Sequence, residues 1–425
     1  MTRDEAVAVD AADPLAVHRS AFALPADVIY LDGNSLGALP RATGARLREV
    51  VEREWGEGLI RSWNSAHWID LPRRVGARIG RLIGAEAAQV ICADSTSVNL
   101  FKVLATALNI VRTRPQVSTR ARRVILSERG NFPTDLYVAQ GLADLLGNTF
   151  EMKLVEFDEV HRAIAACDGE LAVVMLTHVS YRTGAMHDMA SITASAHAVG
   201  ALMLWDLSHS AGAVPLELDQ AAVDFAVGCG YKYLNGGPGA PAYVYVANRH
   251  LEATASQRHA QPIAGWFGHR APFDFAGDYE PAKTIDRYAV GTPSILALAA
   301  LEIGVDTVLA AGTAALRAKS IALTELFIRQ VERGCDSSLR LVSPRASERR
   351  GSQVCLAHAD AYPIMQALIA RGVIGDFRAP DIVRFGFAPL YVRYVDAWDA
   401  AAALAKVVRS EMWRAPAFQR RATVT

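Results

Sequence analysis

The sequence lacks the marks of several protein classes. It has no net charge: 44 Lys and Arg face 44 Asp and Glu, so there is no overall electrostatic footprint for nucleic acid or an anionic membrane. A small anionic ligand needs only a local basic pocket. Cysteine is scarce, with five residues at Cys92, Cys167, Cys229, Cys335 and Cys355. Their number is odd and no two are spaced as a zinc knuckle or redox pair. No metal site is therefore read, and a reduced, cytoplasmic setting is expected. The opening MTRDEAVAVDAADPL carries acids and no apolar core, unlike a secretory signal. The most apolar long stretch, Ser294–Leu316, is interrupted by Glu302 and Asp306. It reads as a buried helix rather than a membrane span. Internal repeats and low-complexity segments are also missing.

What is present is a globular composition, 51% hydrophobic and 21% charged over 425 residues, long enough for about two to three domains. The first ~30 residues read as an arm with breakers at Pro14 and Pro25. Tyr30–Pro40 (YLDGNSLGALP) reads as a structured loop, and Ala42–Trp55 has helical periodicity. From Val75 the text alternates between helical stretches and short apolar runs. Helices are expected at Val75–Ile83, Ser97–Val111 and Met189–Val199, and strands at Gln89–Cys92, Arg123–Ser127, Leu171–Thr177, Ala201–Trp205 and Phe225–Cys229. Short apolar runs between helices predict an α/β fold with a mainly parallel sheet covered on both faces. Beyond residue 295, a long helix and strand-like pieces at Ser352–Leu356 and Val383–Phe387 predict a smaller α+β domain. The expected division is an N-terminal arm and helix over 1–55, packing on the small domain or a partner subunit, a large domain over 56–295 and a small one over 296–425.

In such sheets ligands sit at the carboxyl ends of the strands, which directs attention to a few residues. An apolar strand ends in Asp206, and His209 follows. That carboxylate can pair with a protonated heterocyclic nitrogen, or simply cap a helix. After the next apolar run, Lys232 lies between Tyr231 and Tyr233, ahead of the Gly-rich turn Gly236–Gly239. Lysine is seldom buried without a purpose, although an exposed turn lysine is the plainer reading. Taken together, an Asp at one strand end and a Lys after the next run have the spacing of fold-type I enzymes that use pyridoxal phosphate (PLP). That cofactor needs a phosphate site. Asp94-Ser95-Thr96-Ser97 precedes a helix, whose free N–H groups suit an anion, or the hydroxyls act only as an N-cap. It also needs a ring partner, and Phe132 in Asn131–Asp135 is a candidate, though a core Phe would look the same.

These segments resemble the kynureninase family over about residues 20–415. The resemblance rests on YLDGNSLG (Tyr30–Gly37), STSVNL (Ser95–Leu100), NFPTD (Asn131–Asp135), DLSHSAG (Asp206–Gly212), DFAVGCGYKYLNGGPG (Asp224–Gly239), GWFGH (Gly265–His269) and RFGFAPLY (Arg384–Tyr391). It implies the fold-type I PLP-dependent transferase fold and hydrolytic cleavage of L-kynurenine to anthranilate and L-alanine, in tryptophan degradation. It further implies that Lys232 carries PLP, that Asp206 pairs with the pyridine nitrogen and that His209 lies beside both. Phe132 would stack on the ring. Thr96, Ser97 and Tyr231 would hold the phosphate, Thr177 and Asp135 would line the pocket, and Tyr231 would donate a proton. Trp266 and Thr292 would come from the partner subunit of a homodimer with shared active sites. Arg384 would hold the substrate carboxylate, with Asn34 and Trp63 flanking the aromatic ring. Trp63 and Thr292 resemble the bacterial form, which prefers L-kynurenine to its 3-hydroxy derivative.

Two other readings use the same fold. A cysteine desulfurase or class-V aminotransferase relative would, in the first case, need a reactive cysteine on a mobile loop. Cys355 lies in an alternating apolar run, and Cys335 follows a helix end with Arg333 as its only cationic neighbour in sequence. A non-enzymatic ligand sensor would normally lack Lys232 or carry a further DNA-binding module.

Overall fold

The structure is a computed structural model that describes residues 1–114, 121–167, 169–335 and 338–421. In chain order its strands are β1 (Ile29–Tyr30), β2 (Val90–Cys92), β3 (Val124–Glu128), β4 (Glu151–Val155), β5 (Leu171–Thr177), β6 (Leu202–Asp206), β7 (Phe225–Gly228), β8 (Tyr243–Val246), β9 (Arg340–Leu341), β10 (Gln353–Ala357), β11 (Val373–Ile374), β12 (Asp376–Arg378) and β13 (Ile382–Gly386). A seven-stranded sheet runs β2-β8-β7-β6-β5-β3-β4. Every pairing in it is parallel except those of β8, which runs against both β7 and β2.

The apolar runs explain why this sheet is central. β5 is buried along its whole length, as a strand covered on both faces must be. In β6 successive side chains enter different cores. Leu202 and Leu204 join the layer built by Leu100, Val103 and Leu104 of the Thr96–Thr113 helix. Met203 and Trp205 join the opposite layer, with Ile192 and Ala196 of the Met189–Ala198 helix. Two helical layers thus clamp one sheet, the fold class expected from the alternating text.

A second sheet, β12-β13-β10-β9, is antiparallel. Strand β1 pairs in parallel with β11, so a segment that precedes the large sheet is stitched to the C-terminal part. The expected arm contains a helix, Arg3–Ala11, with a complete capping box at Thr2 and Glu5. Its Asp10 carboxylate accepts the Tyr394 and Val395 N–H groups at 2.6 and 2.9 Å. This caps the Tyr394–Arg409 helix where free donors and the dipole favour an anion.

The stretch Ser294–Leu316 is not one helix. Ile295–Ala311 and Thr313–Gly334 meet at an 81° bend, and Gly312 between them has φ +79, a conformation that glycine adopts without a Cβ penalty. Among the described residues no single helix is long and apolar enough to cross a membrane.

Candidate active site

The carboxyl ends of the parallel strands open onto a cavity of about 440 Å³. Asp206 ends β6 and is the register partner of Thr177, which ends β5. Lys232 lies on the turn that follows β7. The Thr96–Thr113 helix points its N-terminus at the same space, with Ser95 accepting from the Val98 N–H at 3.4 Å. Thr96, Ser97, Phe132, Asp135, Thr177, Asp206, His209, Tyr231, Lys232 and Thr292 all line this cavity.

The first loop of the chain shapes the lysine turn. Gly37 N–H donates to the Tyr231 carbonyl at 2.8 Å. A Cβ on Gly37 would stand 2.4 Å from the Lys232 carbonyl oxygen, so the close approach of YLDGNSLG to Tyr231-Lys232 depends on glycine there. On the other side, Asn131 braces the Phe132 loop: its Oδ1 accepts the Phe132 N–H at 2.7 Å and also the Thr177 hydroxyl, while its Nδ2 donates to Ser127 at 3.1 Å.

The electrostatics follow from burial. Asp206 is 5% exposed, and burial raises its carboxyl pKa while Lys232 and Ser208 oppose the rise. Both Ser208 donors, the N–H at 2.8 Å and the hydroxyl at 2.6 Å, fall on Asp206 Oδ1. Asp135 sits against it, and burial together with the Asp206 charge pushes the Asp135 carboxyl well above the usual range. Burial, with the charges of Lys232, Arg384 and Arg378, holds His209 well below the ordinary histidine range. His209 is therefore neutral, and its Nε2 accepts from Lys232 Nζ at 2.9 Å. The ring proton then resides on Nδ1, on the side of Gln353.

These features fit pyridoxal phosphate. Asp135 Oδ2 is buried without a hydrogen-bond partner, an unusual condition that a bound polar group relieves. Phe132 is 42% exposed within the cavity wall, a face that a ring would cover. The helix N-terminus with Thr96 and Ser97 supplies donors for a phosphate.

Other expected residues lie elsewhere. Trp266 stands outside the cavity wall, 37% exposed, whereas Thr292 lines the cavity of its own chain. Trp63 does not line the cavity but packs on the wall residue Phe267, with ring centroids 6.1 Å apart. Asn34 is wholly buried, and a Cβ on Gly386 would collide with its Oδ1. Arg384 lies behind the wall, buried and paired with Asp376; its Nη1 donates to the carbonyl of the wall residue Tyr181 at 2.5 Å. Sequence reasoning missed Asp376 and Arg378, which crowd Arg384, and Lys102, whose buried ammonium pairs with Asp94. The last was legible as a lysine on the apolar face of Ser97–Val111.

Solved structures of low sequence identity share this architecture. A cysteine desulfurase from Thermococcus onnurineus NA1 superposes with a TM-score of 0.75 at 18% identity, covering 93% of this chain and 98% of that one. A mutant of C-DES, with glycine covalently linked to its PLP cofactor, gives 0.73 at 18%, covering 91% and 98%. The fold is therefore that of the fold-type I PLP-dependent enzymes. Sequence relatives narrow this class. Kynureninase from Burkholderia pseudomallei (strain 1106a) is 54% identical, and that from Pseudomonas fluorescens 51%, each over the full length of both chains. The family profile described as Kynureninase C-terminal domain matches residues 316–404. The chain belongs to the kynureninase family.

Proposed function

We propose that the protein hydrolyses L-kynurenine to anthranilate and L-alanine, and its 3-hydroxy derivative less well, with pyridoxal phosphate held on Lys232. The observation that carries this reading is the convergence of Lys232, Asp206 and the Thr96–Ser97 helix start on one cavity. When bound, the cofactor supplies an electron sink for charge developing at the substrate's α-carbon. Asp206 would hold the proton on the pyridine nitrogen. Phe132 would cover the ring, and Thr96, Ser97 and the Tyr231 hydroxyl would hold the phosphate. Lys232 would move the proton at the α-carbon, with neutral His209 orienting its amine. Burial, with Cys229 and Asp206 nearby, raises the Tyr231 phenol above its ordinary range, so Tyr231 keeps its proton and serves as a donor. Water would add to the aryl ketone and the bond between the β-carbon and the carbonyl carbon would break; the carbonyl would leave as the carboxyl of anthranilate, and the β-carbon would keep the electron pair and take a proton to become the methyl group of L-alanine. Arg384 would mark the end that receives the α-carboxylate.

The cysteine pattern supports this over a desulfurase. Cys92, the cysteine in the cavity wall, is buried, and burial raises its thiol above the ordinary range, the opposite of an activated nucleophile. A homodimer is part of the proposal. Trp55, Leu59, Ile60, Leu296, Phe273 and Phe275 are all exposed, a set of large apolar side chains that a partner copy would cover. The division into an arm, a large domain to about residue 295 and a small domain is supported by the separate sheets.

The test is a visible spectrum of the protein with PLP, followed by L-kynurenine with anthranilate fluorescence as readout. A cofactor band with equal yields of anthranilate and alanine supports the proposal. A band without anthranilate rejects the substrate, and absence of any band rejects the cofactor.

A further inference from the structure

Two guanidiniums surround one carboxylate behind the cavity. Arg384, 1% exposed, has its fork filled: Nε donates to Asp376 Oδ1 at 2.8 Å, Nη2 to Asp376 Oδ2 and, at 2.8 Å, to Ser35 Oγ, and Nη1 to the Tyr181 carbonyl at 2.5 Å. Arg378 shares the same counter-ion. Its Nη2 donates to Asp376 Oδ2 at 2.6 Å and to Ser35 Oγ at 3.1 Å. Its situation otherwise differs: the side chain is 36% exposed and its Nε has no partner. Its charge acts on both His209 and Tyr231 of the cavity wall.

Charge counting makes the second arginine necessary. Arg384 bound in bidentate fashion to Asp376 is a neutral pair, and a neutral pair draws no anion. Asp32 also faces this cluster; with its carboxyl protonated, adding Arg378 leaves one positive charge, the match for one carboxylate. We propose that Arg378 is a second ligand of the substrate carboxylate, forming with Arg384 a two-guanidinium cradle that uses Asp376 as common counter-ion. The neutral oxygens of Tyr181 and Ser35 now stand on the Nη1–Nη2 edge of Arg384, where a carboxylate would dock. The inference rests on the reading above that Arg384 marks the carboxylate end.

The experiment titrates the PLP-loaded enzyme with L-alanine and with L-alaninamide, following the cofactor's visible absorbance. The pair differs in the carboxylate alone. Wild type is expected to prefer alanine, and Arg384→Met to lose that preference. Arg378→Met is expected to reduce it by roughly 10- to 100-fold, the range for a lost hydrogen bond to a charged group, with unchanged affinity for the amide. With L-kynurenine the loss falls on KM more than on kcat. Arg378→Lys, which keeps the charge without the planar fork, is expected to fall between and is read the same way should the methionine variant fail to fold. A wild-type preference retained in the Arg378 variants but lost in Arg384→Met overturns this proposal alone. No preference in wild type overturns the Arg384 reading and the proposal with it.

Discussion

The ammonium of Lys102, wholly buried, lies 2.6 Å from an Asp94 carboxylate oxygen and 2.5 Å from the Tyr288 carbonyl. Asp94 precedes the Thr96–Thr113 helix and is held at φ +49. One lysine therefore ties that loop to the segment that carries Thr292. Burial lowers the Lys102 pKa, and Asp94 opposes the fall.

Lys102→Met should destabilise the protein by about 3 kcal/mol, the lower end for removing one partner of a buried pair, because Asp94 is 30% exposed. Denaturant unfolding measures this. Combining it with Asp94→Asn should cost less than the sum of the two single changes. Additive losses would show that the two residues do not act as a pair.

Lys232→Ala should lower turnover by at least roughly 10²–10⁴-fold, the contribution of a positioned proton-transfer group. Borohydride reduction should fix the cofactor covalently to wild type and not to the variant. Full turnover by the variant would reject the assignment of Lys232.

Asp206→Asn should reduce kcat by roughly 10²–10³-fold, the range for losing one preorganised electrostatic partner, and shift the cofactor's absorbance. Asp135→Asn removes the neighbouring buried carboxyl and should alter cofactor affinity more than kcat. Equal effects of the two changes on kcat would contradict the division of roles.

Asp32 predicts a pH dependence of stability. Burial, then the Asp376 charge, push its carboxyl up to about 7, against the pull of Arg384 and Ser35. Tyr30, Tyr233 and Tyr391 also face it. The folded protein holds this proton more tightly than the unfolded chain, whose Asp titrates near 3.9. The contribution is complete below about pH 4 and is lost as pH rises to about 7. Asp32→Asn should flatten this slope between pH 5 and 7 in thermal melts. An unchanged slope would mean that Asp32 is ionised throughout.

Much of the large sheet was legible because its central strands are short, apolar and flanked by helices. Leu171–Thr177 coincides with β5. Strand β4 escaped because it is an edge, partly exposed along Glu151–Leu154. Strand β8 escaped because Tyr243–Val246 follows a turn rich in glycine and proline and runs against its neighbours. The site residues at strand ends were legible from chemistry and spacing. Those that depend on long-range packing were not: Asp376 and Arg378 acquire meaning only where β12 pairs with β13, and the burial of Asn34 only where its loop meets Gly386.

The docking of the Arg3–Ala11 helix has a consequence for synthesis. Asp10 and Tyr394 lie 384 residues apart, so the capping carboxylate leaves the ribosome long before the helix it caps. The central sheet can collapse as it emerges, because its parallel strands lie close in sequence, whereas the small sheet and its N-terminal brace must await nearly the whole chain. Vectorial folding thus leaves the Arg3–Ala11 helix, which buries Ala6, without its native partner until translation is nearly complete.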